Sequence, residues 1–336
     1  MGSRFARLLL SAATISFAAV GWSQEKKLET LNVSYVSVSA SRAPLWIAKD
    51  LGLYEKYGLD VRLVVIRGTQ LPITALVSGD IQIIAAPATG SMVAAARGLP
   101  VVVIGTFGPS TFRLVSQPSI TSISELKGKT IGISQPTNTD DFTVRRLLLK
   151  FGLMPGKDVN ILGTGLTESG KRMALMLQGG RFEATLATPD TIYDLESRGG
   201  KVRELADTVE LGIHTSISDL STTRDFIKNH RKKLQAFLMA FSEAIWIGKT
   251  NKDVALKIFR KYMRTDDPKR LEMMYNNYMM KQIPAKPYPM EEAILSDIEN
   301  LSTIVPEFKG KKTSDFMEPS VLKEIESQGF FTRLYR

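Results

Sequence analysis

The chain has no cysteine and only two histidines, His214 and His230, among its 336 residues. The missing thiols exclude disulfide staples, thiolate metal sites and thiol nucleophiles together. Neither histidine has a carboxylate or a second histidine at ligand spacing, so no metal ion, no other cofactor and no imidazole-based chemistry is expected. Long apolar runs are also lacking: Leu8–Val20 is shorter than the roughly 20 residues needed to span a bilayer. There is no concentrated basic stripe interleaved with aromatics. Arg145-Arg146, Arg231-Lys232-Lys233 and Lys309 to Lys312 are short and separated by acids, which predicts a solvated basic surface and no nucleic-acid partner.

What is present is a globular composition, 43% hydrophobic and 23% charged. Residues 1–23 have the layout of a secretory signal: Arg4 and Arg7, then the apolar stretch, then small residues Gly21 and Ser23 before Gln24. No cysteine follows that point to carry a lipid, so a soluble periplasmic protein is expected. Removing residues 1–23 would lower the formal charge from +10 to +8.

Apolar strands alternate with helices from residue 31 onward. Leu31–Ser37, Leu59–Ile66, Ile81–Ala85 and Val101–Thr106 read as strands, and Pro44 and Gly58 suit the first position and the stop of a helix between the first two. Near-continuous apolar strands predict a parallel sheet covered on both faces. The pattern restarts after Phe112–Ser116: a capping box at Ser122–Glu125, a strand at Thr130–Ile133, a helix at Phe142–Phe151, then strands at Val159–Leu162 and Ala184–Ala187. Residues 224–336 have apolar residues at helical spacing in Phe226–Ile247, Asp253–Tyr262, Pro268–Met280 and Met290–Ile304. If this helical tail packs on the first unit, the chain crosses between two α/β lobes twice, near Thr111–Pro118 and near His214–Leu220, and two crossings make a hinge.

Ligands of open α/β sheets sit outside the carboxyl ends of the strands. The turns there are rich in hydroxyls and lead into helix starts, which suits an anionic or zwitterionic head group. Several of these residues have two readings. Ser41 can cap its helix or meet a ligand, and Thr137-Asn138-Thr139 can be an Asx-type turn. Asp140 and Asp141 fit the positive end of a helix dipole. Asp190 either caps its helix or pairs an amino group, and Arg42 and Arg67 either fork onto a carboxylate or sulfonate or point to solvent.

Four ordered blocks carry a resemblance. Trp46–Tyr54 followed by Tyr57–Val61 comes first, then Leu76–Asp80 and Ala94–Val101, and Ile123–Gly132 opens the second lobe. With these blocks the chain resembles substrate-binding proteins of ABC importers, in the group of taurine, nitrate and aliphatic-sulfonate binders and NMT1/THI5-like proteins. The resemblance implies a bilobal type II periplasmic binding fold: two doubly wound sheets, a two-strand hinge, and a helical C-terminal segment packing on lobe 1. Lobe 1 is expected at residues 31–112 plus 218–336 and lobe 2 at 113–217. The family's cleft positions fall on Ser39, Ala40, Ser41 and Arg42, on Gly68, Thr69 and Gln70, and on Pro87, Ala88 and Thr89. In the second lobe they fall on Thr137, Asn138 and Thr139 and on Thr188, Pro189 and Asp190. The implied function is capture of a small polar or anionic molecule by a non-enzymatic monomer, for delivery to a permease and ATPase of the inner membrane. Two alternatives stand beside it: a sensing accessory of a membrane receptor, and pyrimidine-precursor binding or synthesis. The synthesis reading is disfavoured because the cleft turns contain no cysteine or histidine.

Overall fold

The computed structural model describes residues 27–68, 70–109, 111–136, 138–213, 219–302 and 305–336. Strands β1 (Glu29–Tyr35), β2 (Leu59–Val65), β3 (Ile83–Ala86) and β4 (Val101–Thr106) come first in the chain. They are followed by β5 (Arg113–Ser116), β6 (Thr130–Ile133), β7 (Asn160–Gly163), β8 (Ala184–Ala187), β9 (Arg203–Asp207) and β10 (Asp219–Thr223). One sheet has the order β2-β1-β3-β10-β4 and the other β7-β6-β8-β5-β9. β1 is parallel to β2 and β3, and β6 is parallel to β7 and β8. β10 and β5, which follow the two passages between sheets, fill the same fourth place in their sheets and run antiparallel there. Each sheet is therefore mixed, and the two halves repeat one topology.

Side-chain alternation covers both faces of each sheet. From β1, β3 and β4, Leu31, Val33, Ile83, Ala85, Val102 and Ile104 enter a core shared with Trp46, Phe237 and Phe241. Their neighbours Ile84 and Val101 pack with Ile73 and Leu76 on the opposite face. In the second sheet Leu114, Ile131 and Leu186 meet Val144 and Leu148, while Val115 and Ala187 meet Met173 and Ile192. This is the period-2 pattern of a sheet between helix layers. The two Phe residues of the first core come from the 20-residue helix Arg231–Thr250, so the helical tail is built onto the first sheet.

Several elements differ from the sequence reading. The apolar run of β2 predicts a strand buried on both faces, yet β2 is an edge strand with Val64 and Val65 exposed, because the strand order places it last. The helix expected over Phe226–Ile247 breaks at His230 into Arg224–Asn229 and Arg231–Thr250. The helix expected over Pro268–Met280 is α-helical only to Met274, and Tyr275–Gln282 continues as a π-helix. At Ser122–Glu125 the box is rearranged: the Glu125 carboxylate accepts from Thr121 N and Oγ1 and from Ser122 Oγ, around a 3-10 turn. The expected signal segment at residues 1–23 and His214 lie outside the described residues. No described helix is long and apolar enough to cross a membrane.

Candidate functional site

The carboxyl ends of β1, β2 and β3 in one sheet and of β6, β7 and β8 in the other carry the predicted turns. After β1, Ser39 is extended and Ala40–Arg42 form a 3-10 turn that runs into helix Ala43–Asp50, with Pro44 in its first turn. Ser41 does not cap that helix: its hydroxyl donates to Ser39 Oγ at 3.2 Å, and no side-chain cap bond exists at either start. After β2, Gly68 has φ +87°, a value that favours glycine, and exposed Gln70 opens helix Gln70–Ser78. Thr69 and Thr137 lie outside the described residues. After β3, Pro87 precedes helix Ala88–Ala96; Ala88 is fully buried and Thr89 half-buried.

In the second sheet, Asn138 precedes helix Thr139–Lys150 without a side-chain cap bond to it and donates its Nδ2 back to Ser134 Oγ, 3.0 Å away. Ser134 also donates its N–H and its hydroxyl to the two oxygens of Asp140, at 2.6 and 2.7 Å. Asp140 therefore does more than complement a dipole; it ties the turn after β6 to the helix that follows. Its buried partner is Arg172, 3.4 Å away. Arg172 donates Nε to Thr185 Oγ1, Nη1 to the carbonyls of Leu166 and Thr167, and Nη2 to that of Leu186. Asp190, one residue into helix Pro189–Glu196, accepts the hydroxyl of Tyr278 from the tail, and Thr188 shares a capping box with Thr191.

The two units approach one another on both flanks of these turns. Phe142, at the start of the second unit's helix Thr139–Lys150, is inserted among Ala88, Met92, Val103 and Ile294 of the first. Arg146 on the same helix donates to Ser296 of the tail. On the opposite flank, Glu168 is held below its ordinary range by the Lys171 ammonium it bonds, with a smaller contribution from Arg67 of the first unit.

Arg42 stands apart from the other residues of the site. It is 2% exposed, and neither Nε nor Nη1 has a hydrogen-bond partner. Its Cζ lies 4.8 Å from the centre of the Phe107 ring. Burial pushes its pKa down to about 10, with the Asp219 charge opposing that shift, so it remains a cation at neutral pH. Burying an ionised group with two of its donor nitrogens unbonded is costly in a folded chain. The 3-10 turn that carries Arg42 packs against the π-helix, where the Gln282 Oε1 is likewise buried and unpartnered. A donor fork, an aromatic face and a helix start come together here, groups whose chemistry suits an anion.

The sequence singled out Arg42 but not Phe107, Asp219 or Gln282, which reach the same edge from the first passage between sheets, from the start of β10 and from the tail. Only the strand order joins them. Among the described residues no group of three or more His, Asp or Glu side chains could hold a metal ion.

A model of the family described as NMT1/THI5 like matches residues 39–249. No curated protein sequence is similar enough to match. The fold is that of the periplasmic aliphatic sulphonate binding protein SsuA from Escherichia coli, with a TM-score of 0.69 and 20% identity over 87% of this chain and 92% of that one. The periplasmic sulfonate-binding protein SsuA from Methylobacillus flagellatus KT gives 0.70 and 18% over 90% and 97%. The periplasmic nitrate-binding protein NrtA from Synechocystis PCC 6803 gives 0.67 and 15% over 90% and 89%.

Proposed function

The chain belongs to the NMT1/THI5-like family, and from that premise we propose that it is an exported solute-binding protein that takes up a small anionic or polar molecule between two lobes and passes it to an ABC importer. Residues 1–23 direct export and are removed. Lobe 1 comprises residues 31–112 with 218–336, and lobe 2 comprises 113–217. The protein acts as a monomer and without turnover, its partners being a permease and an ATPase of the inner membrane.

The observation that carries this reading is Arg42: a permanent cation at the strand ends, buried with its Nε and Nη1 unused. A sulfonate, carboxylate or nitrate oxygen pair matches a guanidinium fork. The backbone N–H groups at the start of helix Ala43–Asp50, together with Ser39, Ser41, Gln70 and Thr89, complete the lobe 1 side, and Asn138 and Thr139 close over it from lobe 2. A molecule with an anionic end and a polar body fits this division. Deletion of the charge separates solute recognition from fold: Arg172, with its nitrogens bonded, is the structural counterpart.

A thermal-shift screen over alkanesulfonates, carboxylates, nitrate, urea and pyrimidines tests the reading. Solute at about one hundred times its Kd adds about 2.7 kcal/mol of stability. An anion is expected to raise the melting temperature in saturable fashion, and Arg42→Met to abolish the rise. A response confined to neutral pyrimidines, unchanged in Arg42→Met, would reject the anionic assignment.

A further inference from the structure

The bond from Tyr278 to Asp190 is one of three along the same two elements. Tyr193 donates to Asp267 Oδ2 at 2.6 Å, and Arg270 Nη2 donates to Asp194 Oδ2 at 2.7 Å. One member of each pair sits on helix Pro189–Glu196, directly after β8 of the second sheet. The other belongs to Asp267–Gln282 of the tail, whose Met274, Tyr275, Tyr278 and Met279 are packed into the core of the first sheet. The contacts thus join the two halves of the molecule by side chains alone.

Tyr278 is 3% exposed, and its hydroxyl also reaches Thr188 and Thr111. Thr111 lies in the first passage between sheets, so one hydroxyl touches that passage, the second sheet's helix start and the tail. Gly108 in the same passage shows how closely the tail lies on it: a Cβ there would stand 2.0 Å from the Gln282 carbonyl oxygen. The segment that reaches in is the π-helix Tyr275–Gln282, a wound form found mostly as single turns and often at functional sites. Arg270 and Asp194 are partly shielded from water, with side-chain exposures of 19% and 34%, so their charge-assisted bond is stronger than a fully solvated pair.

We propose that Asp267–Gln282 is a closure clasp. By gripping helix Pro189–Glu196 it sets the ratio of shut to open molecules, and through that ratio the apparent affinity for solute, using Tyr278, Arg270 and Asp267. Opening the space between the strand ends requires that all three contacts part. The clasp regulates the site proposed above and rests on that reading for its biological role. Its test contains no solute, so the two can fail separately.

The absence of cysteine allows a single introduced pair to carry spin labels. Val77→Cys and Leu175→Cys place them on exposed positions of the helices that follow β2 and β7, the edge strands farthest from the passages. Pulsed electron-spin distances in solute-free protein are expected to contain the short separation of this structure. Tyr278→Phe, which removes a single oxygen, and Arg270→Met should each lower the ratio of short to long distances about tenfold, the loss expected for a hydrogen bond to a charged group. The exchanged pair Asp194→Arg with Arg270→Asp should restore the ratio. Distributions in Tyr278→Phe and Arg270→Met that superimpose on the parent's would overturn the clasp, as would an exchanged pair no better than Arg270→Met alone.

Discussion

Arg42 and Arg172 are both almost wholly withdrawn from water, and they meet the cost of burial in opposite ways. Arg172 is surrounded by four carbonyl or hydroxyl acceptors and the Asp140 carboxylate. Replacing it with Met leaves Asp140 buried and short of its cation, and should lower stability by about 3–5 kcal/mol, measurable as a fall in the denaturant midpoint. Arg42 has no such set. Its fall to about 10 corresponds to roughly 3 kcal/mol against the charged form. Arg42→Met should therefore stabilise the solute-free protein by between about 1 and 3 kcal/mol while weakening anion binding at least tenfold, read by calorimetric melting and titration. The sign on pH follows from the lowered value. The charged form is penalised throughout the range below about 10, and stability recovers as pH rises through it, a recovery that Arg42→Met should lack. At this scale the sequence marked Arg42 as one of two flanking arginines with two possible fates, because a guanidinium beside a turn reads the same whether it is buried or solvated. Asp140 was read as a dipole partner, because its bonds to Ser134 and Arg172 depend on a loop conformation and on a residue about thirty positions away.

Among elements, the strands were legible and the tail less so. β3, β4 and β8 are short apolar runs between turn residues, and burial on both faces leaves no other use for them. The π-helix was not legible: Met273, Met274, Met279 and Met280 continue an α-helical spacing, and the widened register appears only where Tyr275–Gln282 lies on the passage at Gly108. That passage admits no side chain. Gly108 has φ +98° as well as the close carbonyl, so Gly108→Ala should destabilise by at least about 2 kcal/mol and displace the π-helix, seen as lost amide protection across residues 275–282. Gly132 makes the same demand within a sheet. A Cβ there would meet the Phe182 ring at 2.5 Å, and Gly132→Ala should loosen the second unit while leaving the first intact, as two separated melting steps.

For the molecule as a whole, the alternation of strands and helices already implied two doubly wound units joined by two passages, and the sheets have that construction. What could not be read from the chain is how the units meet. Phe142 in the first unit's core, Arg146 on Ser296, and the contacts of helix Pro189–Glu196 with the tail all join residues from about 40 to 150 positions apart, a range over which local spacing carries no signal. The central claim is that these units close around a dissolved anion. Small-angle scattering of the protein, alone and saturated with the anion that shifts its melting temperature most, tests that claim directly. Saturation should shrink the radius of gyration in the parent and leave Arg42→Met unchanged; a parent radius that stays constant at full occupancy would contradict it.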